Sequence, residues 1–173
     1  MIDENDDPIL GMRTHFQNVR DFFGKNLYYD FLLAHGVGYL PGPNTFVGPR
    51  LEQHNCFGNA LHVAIDGDFT YVEGKVFVHG CPLDHAWCID GDGNVIDPTT
   101  EGKGINGYFG VPLKTDYVKK AVLKNGVYGV LDWYYAGKTA PMLFELGLEA
   151  GQQWLLDYPE RIQQRRRHRK AGA

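Results

Sequence analysis

The stretch DHAWCIDGDGNVIDPTT, residues 84–100, sets an apolar run opened by His85 against a second short apolar run that ends on Asp97, with Asp and Gly between them. That pattern predicts two antiparallel strands, 85–90 and 94–97, joined by a tight turn. Such a hairpin brings its outer ends together. Asp97 then sits near His85, as a carboxylate does when it orients an imidazole. The register decides whether it can. With a three-residue loop of Asp90, Gly91 and Asp92, Ile89 pairs with Gly93 and His85 faces Asp97. With a four-residue loop, Asp97 lands opposite Ala86 and points to the wrong face.

Working outward, NCFGNALHVAI (55–65) reads as a helix with Asn55 in the N-cap position. FTYVEGKVFV (69–78) reads as a strand in which Gly74 marks a possible bulge. DYVKKAVLKNG (116–126) reads as a helix that ends at Gly126. Upstream, 13–36 carries apolar residues at helical spacing, broken into two helices at Gly24 and stopped at Gly36. Residues 1–8 read as loose, 37–49 as a Pro/Gly loop, and the segment after the hairpin as Gly-rich loop through Gly110. Residues 140–164 read mostly as helix, interrupted by glycines and Pro159. Helices, then helix, strand and hairpin, then helices make an α+β pattern with an antiparallel sheet flanked by helices.

The 173 residues suit one domain, placed at 9–160, with residues 161–173 as a basic tail. The net charge of −4 conceals an asymmetry. RIQQRRRHRK (161–170) holds six of the 17 basic side chains, leaving 11 against 21 acidic ones in the body. A charge run of this kind reads as a solvated, disordered end, with a nucleic-acid contact as the other reading. The acidic N-terminus shows no secretory signal, and no run nears the length of a membrane span. A cytoplasmic protein without a membrane partner is expected, its three cysteines reduced.

Among those cysteines Cys56 stands apart. At the first turn of a helix, backbone N–H groups and the helix dipole favour the thiolate, which is the attacking species. His85 is the proton carrier and Asp97 its orienting carboxylate. The Cys56 backbone N–H is one oxyanion donor; Gln53 and Asn55 are candidates for a second. Trp87 shares a strand face with His85, and Glu73 is a further cleft candidate, as is the wall YFGVPL (108–113). Each residue has a plainer reading: Cys56 as a small buried hydrophobe, His85 as a structural histidine, Asp97 as a turn former, Trp87 as core and Glu73 as a solvated strand residue. Cys81 and Cys88 are bystanders. Cys81 precedes Pro82 in a loop and lacks a helix start, and Cys88 alternates away from His85 along the strand.

CFGNA (56–60), YVEG (71–74), HAW (85–87) and DPT (97–99), in this order, resemble the core of the transglutaminase-like cysteine enzymes of the papain-like superfamily. The likeness spans roughly residues 53–100. It implies a papain-like core with Cys at a helix start, His on a following strand and Asp on the next. It also implies acyl transfer from a peptide or other amide substrate through a thioester on Cys56, without a cofactor. Peptidase, amidase or deamidase chemistry is favoured over amine transfer, since no dedicated amine site is visible. The interval of 29 residues from Cys56 to His85 makes this a minimal core, and no calcium-site pattern is present. Two other readings stay open. One is a catalytically inactive papain-like binding module that acts through the basic tail. The other is a zinc site drawn from His54, Cys56, His79, Cys81, His85 and Cys88. These lack C-x-x-C spacing, and at least three of them would have to converge.

Overall fold

A computed structural model of the chain describes residues 7–24, 27–43, 45, 51–52, 54–131 and 155. The expected helical stretch 140–164, the tail 161–173 and Gln53 fall outside the described residues, Leu155 apart.

Helix α1 runs Pro8–Phe23 and α2 Leu27–His35. The start of α1 corrects the expectation of a loose end up to residue 8. The Asp7 carboxylate accepts the Ile9 N–H at 3.0 Å and Pro8 occupies the first turn, where its missing N–H costs nothing. Gly24, at φ 81°, stops α1 as its position in the sequence suggests. Strand β1 (Val37–Tyr39) follows where a loop was expected; three residues are too few to show a period. Helix α3 is Cys56–Asp66. Strands β2 (Thr70–Val78), β3 (Cys81–Ile89), β4 (Val95–Ile96) and β5 (Ile105–Leu113) come next, and α4 is Thr115–Asn125.

The strands form one antiparallel sheet in the order β1-β5-β2-β3-β4. An α+β architecture with a helix carrying Cys56 at its N-terminus against an antiparallel sheet is thus present. The glycine-marked segment after the hairpin is strand β5, set between β1 and β2, and not loop.

Both sheet faces are covered. On one, Tyr71, Phe77, Ala86, Cys88, Phe109, Val111 and Leu113 pack against α1, α2 and α3 through Phe16, Phe31, Ala60 and Leu61. On the other, Val72, Val76, Trp87, Tyr108 and Tyr39 form a second core. The sheet curls around this inner core. Tyr39 and Trp87 lie three strand spacings apart, about 14 Å on a flat sheet, yet their ring centroids are 5.8 Å apart. Burial on both faces explains why β2 shows no alternation of apolar and polar residues, with Tyr71 and Val72, and Val76 to Val78, apolar at consecutive positions. Gly110 makes the curl possible, since a Cβ there would come within 2.5 Å of the Trp87 ring. Gly74 is no bulge. It pairs in register with both His85 and Gly110, and the irregularity of β2 falls at Phe77/Val78 instead. Among the described residues no helix is long and apolar enough to cross a membrane.

Candidate active site

Cys56 is the first residue of α3, and Asn55 occupies the N-cap position. Asn55 makes no side-chain cap; its Nδ2 donates instead to Glu52 Oε2 at 3.2 Å. The first-turn N–H groups are therefore not taken by the residue that commonly takes them, and the positive end of the helix dipole lies beside the thiol. Both residues line a cavity of about 750 Å³ together with His54, Phe57, Val76, Val78, Leu83 and His85. Asp84, Thr99, Thr100 and Gly126 to Tyr128 complete its wall.

His85 is where β3 passes from exposed to buried. Its Nε2 lies 2.8 Å from Asp97 Oδ2, and both residues are 4% exposed. The hairpin that joins them adopts neither register expected from the sequence. Cys88 pairs with Ile96 and Ile89 with Val95. The loop does have three residues, but they are Gly91, Asp92 and Gly93, one position further along. Asp90 N–H donates to Asn94 O, and Gly93 N–H donates to Asp90 O to close the turn. Gly93 takes the left-handed conformation at φ 79°, which the turn requires. The Asp90 carboxylate stabilises it further, accepting from the N–H groups of Asp92 and Asn94. Moving a loop by one residue moves the register by two, and a shift of two preserves the face. Continued outward, this register sets Asp97 opposite Trp87, on the His85 side of the sheet.

Asp97 is the most heavily hydrogen-bonded group of the site. Oδ1 accepts the Thr99 and Thr100 N–H groups at 2.9 and 3.1 Å. Oδ2 accepts the Thr100 and Tyr108 hydroxyls at 2.9 and 3.0 Å, beside His85. Burial alone would raise the Asp97 pKa, but the hydrogen bond and charge of His85, with the two backbone donors, hold it below the usual carboxylate range. Burial likewise opposes charge on His85. It is outweighed by the Asp97 hydrogen bond and by Cys56, which acts on the ring through hydrogen bonding and charge, so His85 retains its proton above the ordinary imidazole range. With Nε2 directed at Asp97, Nδ1 is the ring nitrogen left for the thiol. Asn59 ties the two halves together: its buried Nδ2 donates to Glu52 O at 2.6 Å and to Thr99 Oγ1 at 3.1 Å, joining α3 to the loop after Asp97.

Cys56, His85 and Asp97 are thus brought to one place, with Asn55 on the same cavity. Two other candidates are elsewhere. Glu73 does not face the cleft. It sits opposite Ala86, on the helix-covered face, where its carboxylate accepts from Tyr71 OH and from the Val130 and Leu131 N–H groups. Trp87 is fully buried behind His85, its ring nearly parallel to the imidazole with centroids 6.3 Å apart, and does not line the cavity. Cys88 faces α3, donating to Ala60 O at 3.1 Å, and burial pushes its thiol up to about 12. Among the described residues no three His, Cys, Asp or Glu side chains converge as a metal site would need.

Sequence reasoning missed Thr99, Thr100 and Tyr108. The threonines carry a local signal, because Asp followed by residues whose N–H groups fold back onto its carboxylate is an Asx-turn pattern. Tyr108 lay in the supposed cleft wall, but its contact with Asp97 depends on β5 being a strand. Comparison with protein-family models, with curated proteins and with solved structures gave no match.

Proposed function

We propose that this chain is a cysteine-dependent hydrolase or acyltransferase that acts on an amide bond, built on a papain-like core of the transglutaminase-like kind. The observation that carries this is the buried His85 Nε2 to Asp97 Oδ2 contact of 2.8 Å beside a cysteine at a helix N-terminus, on one cavity. Desolvating a buried ion pair is costly, and here the further donors to Asp97 offset that cost. The pair holds an imidazolium next to the Cys56 thiol, the arrangement a cysteine nucleophile and its proton carrier require.

The reaction follows from the positions. The Cys56 thiolate attacks the amide carbonyl carbon, forming a C–S bond. The carbonyl oxygen takes up negative charge at the first-turn N–H groups of α3, the Cys56 N–H among them. His85 passes its Nδ1 proton to the amide nitrogen, the C–N bond breaks and the amine leaves. A water molecule then gives a proton back to His85 as it attacks the thioester, releasing the acid and restoring Cys56. Asp97 stays ionised throughout and keeps the ring oriented. Hydrolysis is favoured over amine transfer, with a peptide or other amide as substrate.

Thiol reactivity tests this. Native protein is treated with iodoacetamide from about pH 5 to about pH 9, where ordinary thiols gain reactivity only at the alkaline end, and the modified cysteines are mapped by mass spectrometry. Rapid labelling of Cys56 at the acidic end, lost in His85→Ala, is the expected result. Slow labelling indifferent to His85 would leave a binding module in place of an enzyme.

A further inference from the structure

The cavity does not end at the thiol. On the inner face of the β2–β3 hairpin, Leu83 precedes His85 by two residues and so points the same way. It pairs with Val76, and the next same-face position on β2 is Val78. All three line the cavity with Cys56 and His85. Leu83 is 53% exposed and so open to a ligand. Asp84, the charged residue between Leu83 and His85, is engaged by Lys75, its partner across the hairpin. The surface leading away from the imidazole is therefore an apolar shelf.

Proton bookkeeping says which half of a substrate meets this shelf. In an acyl transfer the imidazole gives its proton to the departing nitrogen, so that nitrogen lies on the His85 side and the acyl half on the side of the helix N-terminus. We infer that the substrate is an amide whose amine-side group is aliphatic or aromatic, seated on Val76, Val78 and Leu83. This rests on the cysteine-enzyme reading above and adds the substrate class to it. An apolar leaving amine gains from burial here, whereas an anionic one loses solvation on a cavity that Asp84 also lines.

The test uses N-substituted chloroacetamides, in which Cys56 sulfur forms a C–S bond and chloride leaves, so no natural substrate is needed. Second-order rates at Cys56 are measured in a Cys81→Ser background for nitrogen substituents hydrogen, n-butyl, benzyl and carboxymethyl, each divided by its rate with glutathione. Butyl and benzyl are expected to react about tenfold faster than the parent, as for partial burial of a few methylenes, and carboxymethyl slower. In Leu83→Glu the ratio of the butyl and benzyl rates to the parent rate should fall to its value with glutathione, a ratio within one variant being independent of any change at Cys56 itself; Leu83 is half exposed, so folding is spared. Rates that follow glutathione for every substituent, or an advantage unchanged in Leu83→Glu, would overturn the shelf. A parent compound that labels Cys56 no faster than glutathione at neutral pH would instead overturn the enzyme reading, and the ratios among substituents would still report on the shelf.

Discussion

Asp97 Oδ2 serves three donors, His85 Nε2, Thr100 Oγ1 and Tyr108 OH, and a carboxylate oxygen shared three ways gives less to each. Tyr108 is therefore a competitor of His85 as well as a support for Asp97. Burial and the neighbouring carboxylate raise the tyrosine pKa far above its ordinary value, so it stays a neutral donor under all working conditions. Replacing it by Phe removes one neutral hydrogen bond and leaves more negative charge facing the imidazole. The His85 ring is then expected to titrate higher, by less than about one pH unit, since such a bond is worth about 1 kcal/mol. Ring-nitrogen NMR of Tyr108→Phe reads this directly. An unchanged or lowered titration would assign Tyr108 to packing alone.

At the scale of elements, Glu73 shows how much of the site's wall depends on a residue outside it. From β2 its carboxylate holds the Val130 and Leu131 N–H groups at 2.5–3.0 Å. The same segment lines the cavity at Gly126 to Tyr128. Glu73→Ala strands these donors and the Tyr71 hydroxyl in a buried pocket. A loss of about 3 kcal/mol in urea unfolding is expected, from leaving buried polar groups unpaired; a loss below about 1 kcal/mol would mean the segment finds other acceptors. The sequence pattern left Glu73 between the cleft and solvent, and it is in neither, because strand alternation alone cannot say which face is which when both are covered. The helix bearing Cys56 and the existence of the hairpin were legible, because period, cap position and turn residues agree there, but its first strand begins at Cys81, where a loop was expected. The register was not, since Gly91 and Gly93 each suit a left-handed turn position and the chain uses Gly93. Strand β5 was hidden for a related reason. Its Gly110 answers the bulk of Trp87 across the sheet, and a residue chosen for a distant partner looks locally like a loop.

For the whole molecule, the His85–Asp97 pair ties folding to pH, and the sign can be worked out from each partner. His85 is raised from 6.5 to about 9, so its contribution is fully present below 6.5 and is lost as pH climbs toward about 9. Asp97 is lowered from 3.8 to about 2, so its contribution is present above 3.8 and is lost as pH falls through that window. The two share the His85–Asp97 contact, which is counted once; Cys56 adds to the rise at His85 alone. Stability should be level between roughly pH 4 and pH 6.5 and decline on the alkaline side by on the order of 3–4 kcal/mol, each tenfold change in proton affinity being worth about 1.4 kcal/mol. The alkaline arm is the informative one, because acid protonates every carboxylate in a chain with 21 of them. Urea unfolding at closely spaced pH values should show that decline in the wild type. In His85→Gln, which keeps a polar side chain but cannot titrate, the curve should be lower and flat from pH 6.5 upward. If both proteins decline in parallel, the alkaline loss belongs to some other group, and the imidazolium is not held by the fold. If only the wild type declines, the proton that stabilises the folded chain is the same one His85 would deliver to a leaving amine, and activity and stability should fade over the same alkaline range.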